Sequence, residues 1–285
     1  MKHIKYLCLV LSTIFVFEMI SFNNAEAGEC TVTSGVVAED DIDNSCDTVP
    51  DIYEVVIYKL FLCTSAPTEA TTSSTVVLTP CSQIFNNASG ATASVTQGSD
   101  IDLDGTYTRP PNGTYTHGYA YMDNTFGITW SGEIEASMTG MTGGTGVFCA
   151  TVAGSGTHAQ GSTHNNSSIC SSTDNLTAGK FVETMKQFGG SSDNFLSKGE
   201  ATNINGTTAS IVGLLVDTNG HRAASTGEVV KLEGLVTFAN PVVVTTKTTS
   251  LSMNFNVGEG MHLNDGGSNK LQVGSGPFQA IMTAN

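Results

Sequence analysis

Basic residues are scarce in this chain: 11 Lys and Arg stand against 26 Asp and Glu, for a formal charge of −15. A surface of that sign repels phosphate backbones and anionic headgroups, which excludes nucleic acid as a partner and makes an anionic membrane surface a poor one. Aromatic residues are few as well, at 7% with a single Trp. An outer-membrane barrel needs girdles of them at both interfaces, so their scarcity speaks against that architecture even though several segments alternate in polarity. No stretch beyond the first residues is long and apolar enough to cross a bilayer as a helix. Motifs of catalysis are missing too. There is no G-x-S-x-G elbow, no H-E-x-x-H, no Walker-type loop and no G-x-G-x-x-G, and no C-x-x-C spacing proposes a zinc cluster.

What is present begins with a leader. Lys2, His3 and Lys5 precede an apolar run from Tyr6 to Phe17, which Glu18 ends, and a polar stretch closes on Ala25-Glu26-Ala27. This three-zone pattern predicts a secretory signal peptide over 1–27, cleaved after Ala27, and therefore an extracytoplasmic protein: periplasmic, cell-surface or secreted. Its removal takes Cys8 away and leaves Cys30, Cys46, Cys63, Cys81, Cys149 and Cys170. An even number in an oxidising compartment predicts three disulfides, and pairing neighbours in sequence gives Cys30–Cys46, Cys63–Cys81 and Cys149–Cys170.

Strand signals fill the rest. Ile52 to Cys63 is rich in β-branched and aromatic residues on both faces and reads as a central strand, followed by a turn over Ala66–Ser74 and a strand over Thr75–Leu78. Leu251, Met253, Phe255 and Val257 alternate with Ser252, Asn254 and Asn256, as in a half-exposed antiparallel sheet. Comparable runs cover 113–122, 126–138, 210–217, 228–238 and 241–246. A helix is expected only over Lys180–Phe188, from Phe181, Met185 and Phe188 at helical spacing. Residues 140–175, dominated by Gly, Thr, Ser, His and Asn, read as a long exposed loop tied by Cys149 and Cys170. Together these predict an all-β chain, an antiparallel β-sandwich forming one domain over 28–285 with a loop insertion near 140–178.

The segment Arg109-Pro110-Pro111-Asn112-Gly113-Thr114-Tyr115-Thr116-His117 resembles the P-x-G-T-Y lead-in to a strand in transthyretin-like and immunoglobulin-like exported bacterial β-sandwich proteins. The resemblance implies that fold, with Gly113 supplying a positive φ before the strand. It implies no catalytic residue.

Candidate chemistry lies in three places. Asp100, Asp102 and Asp104, followed by Gly105, match the first half of an EF-hand-type calcium loop, but Pro111 falls where the closing bidentate carboxylate belongs. The competing reading is an ordinary strand with Ile101 and Leu103 turned inward. Glu39-Asp40-Asp41-Ile42-Asp43 forms a second acidic run, which reads as a solvated surface. His158 and His164 carry the donor type of a transition-metal site. Six residues apart in a loop, however, they read as side chains without a fixed partner. With no catalytic signature, the expected function is a secreted or cell-surface structural protein that self-associates through sheet edges. The alternative is an extracellular ligand- or glycan-binding, adhesin-like module using the 140–175 loop or Tyr115, Tyr119, Tyr121 and Trp130, and a hydrolase stands third. Calcium is the one cofactor expected.

Overall fold

The computed structural model describes residues 28–96, 101–159, 164, 166–188, 194–202 and 208–285, so the expected leader over 1–27 lies outside the described residues. Three short strands, β1 (Gly28–Glu29), β2 (Val32–Thr33) and β3 (Val36–Val37), precede one helical turn, α1 (Glu39–Asp43), and β4 (Cys46–Thr48). Two long strands follow, β5 (Ile52–Cys63) and β6 (Cys81–Val95), then β7 (Thr106–Tyr107), β8 (Gly113–Thr129), β9 (Ser131–Gly140) and β10 (Thr145–Thr151). The next are β11 (Gly154–His158), β12 (Ser168–Ser171), β13 (Phe181–Met185), β14 (Leu196–Thr202), β15 (Thr208–Val216) and β16 (Lys231–Val244). The chain ends with β17 (Leu251–Asn256), β18 (Met261–Asp265), β19 (Lys270–Ser275) and β20 (Gln279–Ala284).

The all-β expectation holds. One sheet runs β1-β4-β18-β19-β9-β10-β12, with β3 bringing β2 to β9, and curls into a half-barrel. A second runs β14-β15-β16-β8-β5-β6-β7, and β17 pairs β20 in a small third sheet. One apolar core joins all three. Ile134, Met138, Leu263, Leu271 and Val273 come from the first sheet, Val55, Ile57, Phe126 and Ile128 from the second, and Met253 and Phe255 from the third. The clean alternation of 251–257 thus does what it predicts, since Met253, Phe255 and Val257 are buried. A satellite cluster of Ala70, Val76, Tyr119, Leu214, Val216 and Leu235 covers the other face of the second sheet at one end.

Strand β5 lies between β8 and β6, the central position its two-sided apolar pattern predicts. All three disulfides form between the expected neighbours. Cys63 faces Cys81 across the β5–β6 ladder, and Cys149 faces Cys170 across β10–β12, so two of the three clamp directly paired strands. Closing loops of this size fits an oxidising, extracytoplasmic compartment. Among the described residues no helix is long and apolar enough to cross a membrane.

Four local expectations fail. Residues 75–78 are not a strand but an irregular excursion held by the single bridge Thr68 to Val77. The expected helix over 180–188 is instead β13. Phe181 spaced at i+4 and i+7 from Met185 and Phe188 satisfies a helix, but Phe181 and Glu183 both point inward and Val182 does not, which is a period of two. The 140–175 stretch contains three strands, β10, β11 and β12, because its backbone donors pair with neighbouring strands although its side chains carry little apolar pattern. Gly113 starts β8 without a positive φ, and what fixes this corner is Tyr115, whose hydroxyl donates to the Pro111 carbonyl at 2.7 Å.

The edges differ in how they are guarded. Strand β14, at one margin of the second sheet, carries Lys198 and Glu200 in its sequence. Strand β6, near the other, has neither a charged residue nor a proline, and β7 pairs only with its Phe85 and Asn86. A bulge over 87–90, with Gly90 at φ +82°, separates that covered part from Ala91–Val95, which has no outer strand neighbour among the described residues.

Replacing Cys63 and Cys81 together by Ala should lower unfolding free energy by about 3 kcal/mol, the loop-closure value for a loop of this size. Urea denaturation with and without the bridge measures it.

Candidate functional site

The second sheet has an unusual division of labour along β8. Its first part pairs with β16, from Gly113 to Met122, and beyond that β13 takes the same side, with Phe181 opposite Ile128 and Glu183 opposite Phe126. Strand β11 then adds in parallel to β13, Gly156 lying beside Glu183 and His158 beside Met185. This places a carboxylate, Glu183, on the inward face of a strand with no exposure to solvent.

His164 is brought to the same point by the stretch that follows it. The Ser167 N–H donates to the His164 carbonyl, the Ser167 hydroxyl accepts from the Val273 N–H at 3.0 Å, and the Ser168 hydroxyl donates to the Leu271 carbonyl. These bonds hang the residue on β19. Phe181 packs edge-on against the His164 ring, with centroids 5.5 Å apart. Gly156 is required by this approach, since a Cβ there would lie 2.6 Å from His164 Cδ2 and 2.7 Å from Phe181 Cζ.

The resulting geometry is a triad. His164 Nε2 is 2.8 Å from Glu183 Oε1, His158 Nδ1 is 3.7 Å from the same oxygen, and the three donor atoms lie within 4.8 Å of one another. His164 is only 4% exposed, whereas His158 faces solvent on one side, its side chain 38% exposed. Glu183 Oε2 is occupied: it accepts from the Ser275 N–H at 2.7 Å and from the Ser275 hydroxyl. Oε1 and His164 Nε2, although close, are not aligned as donor and acceptor, and neither has a hydrogen bond. On the far side of its ring, His164 Nδ1 lies 3.4 Å from the Gln272 side-chain amide.

Electrostatics keep the carboxylate charged. Burial opposes ionisation of Glu183, but the imidazoles of His158 and His164 outweigh it and hold the carboxyl well below the usual carboxylate range. The Glu183 carboxylate in turn raises His158 above the ordinary histidine value, against its partial burial. Tyr53, whose hydroxyl is buried without a partner, is pushed well up, first by burial and then by the charge of Glu183.

The reading of His158 and His164 as loop side chains without partners is therefore corrected. Glu183, which joins them, was hidden by the helical reading of 180–188. A strand reading would have exposed it, because a carboxylate sharing the face of Phe181 has no water to turn to.

The other predicted groups are not assembled in this way. Asp102 and Asp104 are exposed around buried Leu103, and Asp100 lies outside the described residues. The segment is irregular rather than a strand, with the Tyr107 hydroxyl bridging the N–H and carbonyl of Leu103. Asp102 and Arg109 line an open, mainly apolar cavity of about 520 Å³ together with Leu60, Phe85, Leu251 and Met282. The acidic run 39–43 forms α1, buries Ile42 and uses Asp41 Oδ2 to accept from the Thr31 N–H at 2.6 Å. Tyr115, Tyr119 and Trp130 are core residues, buried at 2%, 6% and 5% exposure, and so offer no face to a glycan, whereas Tyr121 is half-buried.

Comparison with known proteins finds no family model, no curated protein and no solved structure that matches the chain.

A second buried carboxylate, Glu233 on β16, is raised to about 7 by burial, which the Tyr119 hydroxyl only partly offsets. Between its ordinary value of 4.5 and about 7 the folded state holds a proton that the unfolded chain has lost, so stability falls as pH rises through that window. Glu233→Gln should remove this slope, leaving the variant more stable than the parent above pH 7 and not below pH 4.5. Thermal melts across pH measure the crossover.

Proposed function

We propose that the protein is an exported structural component, secreted or held at the cell surface, that associates with copies of itself through a sheet edge and carries no catalytic activity. The observation that carries this reading is the stretch Ala91–Val95 of β6, which has no charge, no proline and no outer strand neighbour among the described residues. Sheet edges of soluble proteins are ordinarily blunted by charge, proline or a covering segment, because unpaired backbone donors and acceptors recruit another strand. Here Ala91, Ala93 and Val95 anchor the strand in the core while Thr92 and Ser94 face water, so a second strand would meet a rigid template of uncharged residues. An antiparallel partner from an identical chain satisfies both edges at once in a two-fold pair. The disulfides support the reading by suiting the protein to an oxidising exterior, and the predicted leader over 1–27 belongs to the same proposal, as does an immunoglobulin-like or transthyretin-like sandwich.

A ligand-binding module is the second reading. The burial of Tyr115, Tyr119 and Trp130 leaves it Tyr121 among those aromatics and the 520 Å³ cavity beside Asp102 and Arg109. Calcium at Asp100, Asp102 and Asp104 carries over on the same terms. Its expected mark is a rise in melting temperature on adding Ca²⁺ that Asp102→Ala with Asp104→Ala abolishes, and no rise in the parent protein ends the idea.

For assembly, Thr92→Lys with Ser94→Lys places two charges on the edge at exposed positions. Light scattering after size-exclusion chromatography should show an associated parent and a monomeric variant with unchanged melting temperature. A parent that stays monomeric at every concentration refutes the proposal.

A further inference from the structure

We propose that His158, His164 and Glu183 form a binding site for a divalent transition metal of the zinc type, built where β11, β13 and β19 meet. Two imidazole nitrogens and one carboxylate oxygen make up the donor set, which suits Zn²⁺ and its neighbours, whereas calcium and magnesium call for oxygen alone.

The geometry favours a cation over a plain ion pair. A histidine and a glutamate held together only by their own attraction align the N–H with a carboxylate lone pair. At 2.8 Å, His164 Nε2 and Glu183 Oε1 do not align, and both are buried without a hydrogen bond. An unmade hydrogen bond at such a depth leaves both groups stripped of water with nothing in return, and one cation receiving both lone pairs relieves it. Tetrahedral zinc with bonds of about 2.0–2.1 Å separates its ligands by roughly 3.3 Å. The observed spacings of 2.8 and 3.7 Å to Oε1 fall on either side of that value, so small side-chain rotations complete the site.

The groups behind the ligands are also those a metal site needs. Ser275 fixes the Glu183 carboxylate through Oε2 and leaves Oε1 free. Gln272 stands behind the His164 ring at Nδ1. With the metal on Nε2 the ring carries its proton at Nδ1, and the Gln272 amide turns its oxygen to accept it, which fixes the tautomer that ligation requires. Gly274 makes room for both, since a Cβ there would lie 3.1 Å from Glu183 Oε1 and 3.4 Å from His164 Cε1. His158, the partly exposed ligand, provides the route from solvent and leaves a coordination position on the water side.

Isothermal titration of the purified protein with Zn²⁺, and the visible bands of Co²⁺ as a spectroscopic substitute, test the site. The expected result is one saturable Zn²⁺ per chain, with Co²⁺ showing the intense bands of a four-coordinate nitrogen and oxygen site. His158→Ala, on the solvent side and so compatible with folding, should abolish the bands, and Gln272→Leu should weaken Zn²⁺ binding by about tenfold or more. His262→Ala, which removes the histidine paired with Asp47 at 2.9 Å, should change neither. Absence of saturable binding in the parent, or binding undiminished in His158→Ala while circular dichroism reports an intact fold, overturns the proposal.

Discussion

Strand β8 runs for seventeen residues through the middle of the second sheet, and no single neighbour matches its whole length on its outer side. Strand β16 satisfies the backbone of one part and β13 the other, while β5 pairs the opposite side from His117 to Thr129. Met122, Phe126 and Ile128 are therefore locked between strand partners on both sides, and with Tyr115 they become the floor on which the other sheets pack. The handover from β16 to β13 matters most. It opens a place for a short strand that supplies one inward carboxylate, and β11 and β19 then close around it.

A charged group with no solvent exposure needs compensation in place before it is tolerated. Glu183 receives it from three directions: two imidazoles on one oxygen and the backbone and hydroxyl of Ser275 on the other. Removing one partner of such a group is more disruptive than never having had the group, because the remaining charge stays buried. Glu233 shows the opposite solution on the same sheet. With no cation beside it among the described residues and one oxygen unpartnered, its carboxyl moves toward neutrality rather than holding its charge.

The fold was legible where side chains alternate cleanly. Met253, Phe255 and Val257 announce their face because burial follows the period of the chain, and the apolar run of Ile52 to Cys63 announces a central strand with neighbours on both edges. Disulfide pairing was legible because each cysteine has a near neighbour bracketing a polar loop. The cluster of His158, His164 and Glu183 was not. Phe181 and Met185 satisfy a helix and a strand at once, and only pairing with Ile128 and Phe126 of β8 decides between them. In β11 and β12 the backbone, not the side chains, carries the order, so Gly154-Ser155-Gly156-Thr157 reads as loop. His164 has no periodic context at all, since its place depends on Ser167 and Ser168 reaching β19 more than a hundred residues away.

The three disulfides have partners only 16, 18 and 21 residues apart, in consecutive, non-overlapping order along the chain. For a chain that reaches an oxidant from its N-terminal end, each cysteine meets its proper partner before the next pair arrives. The native bonds can then close in chain order, none of them crossing another. The long-range ladders, β16 on β8 and β19 on β9, are left to form afterwards on segments whose local geometry is already set.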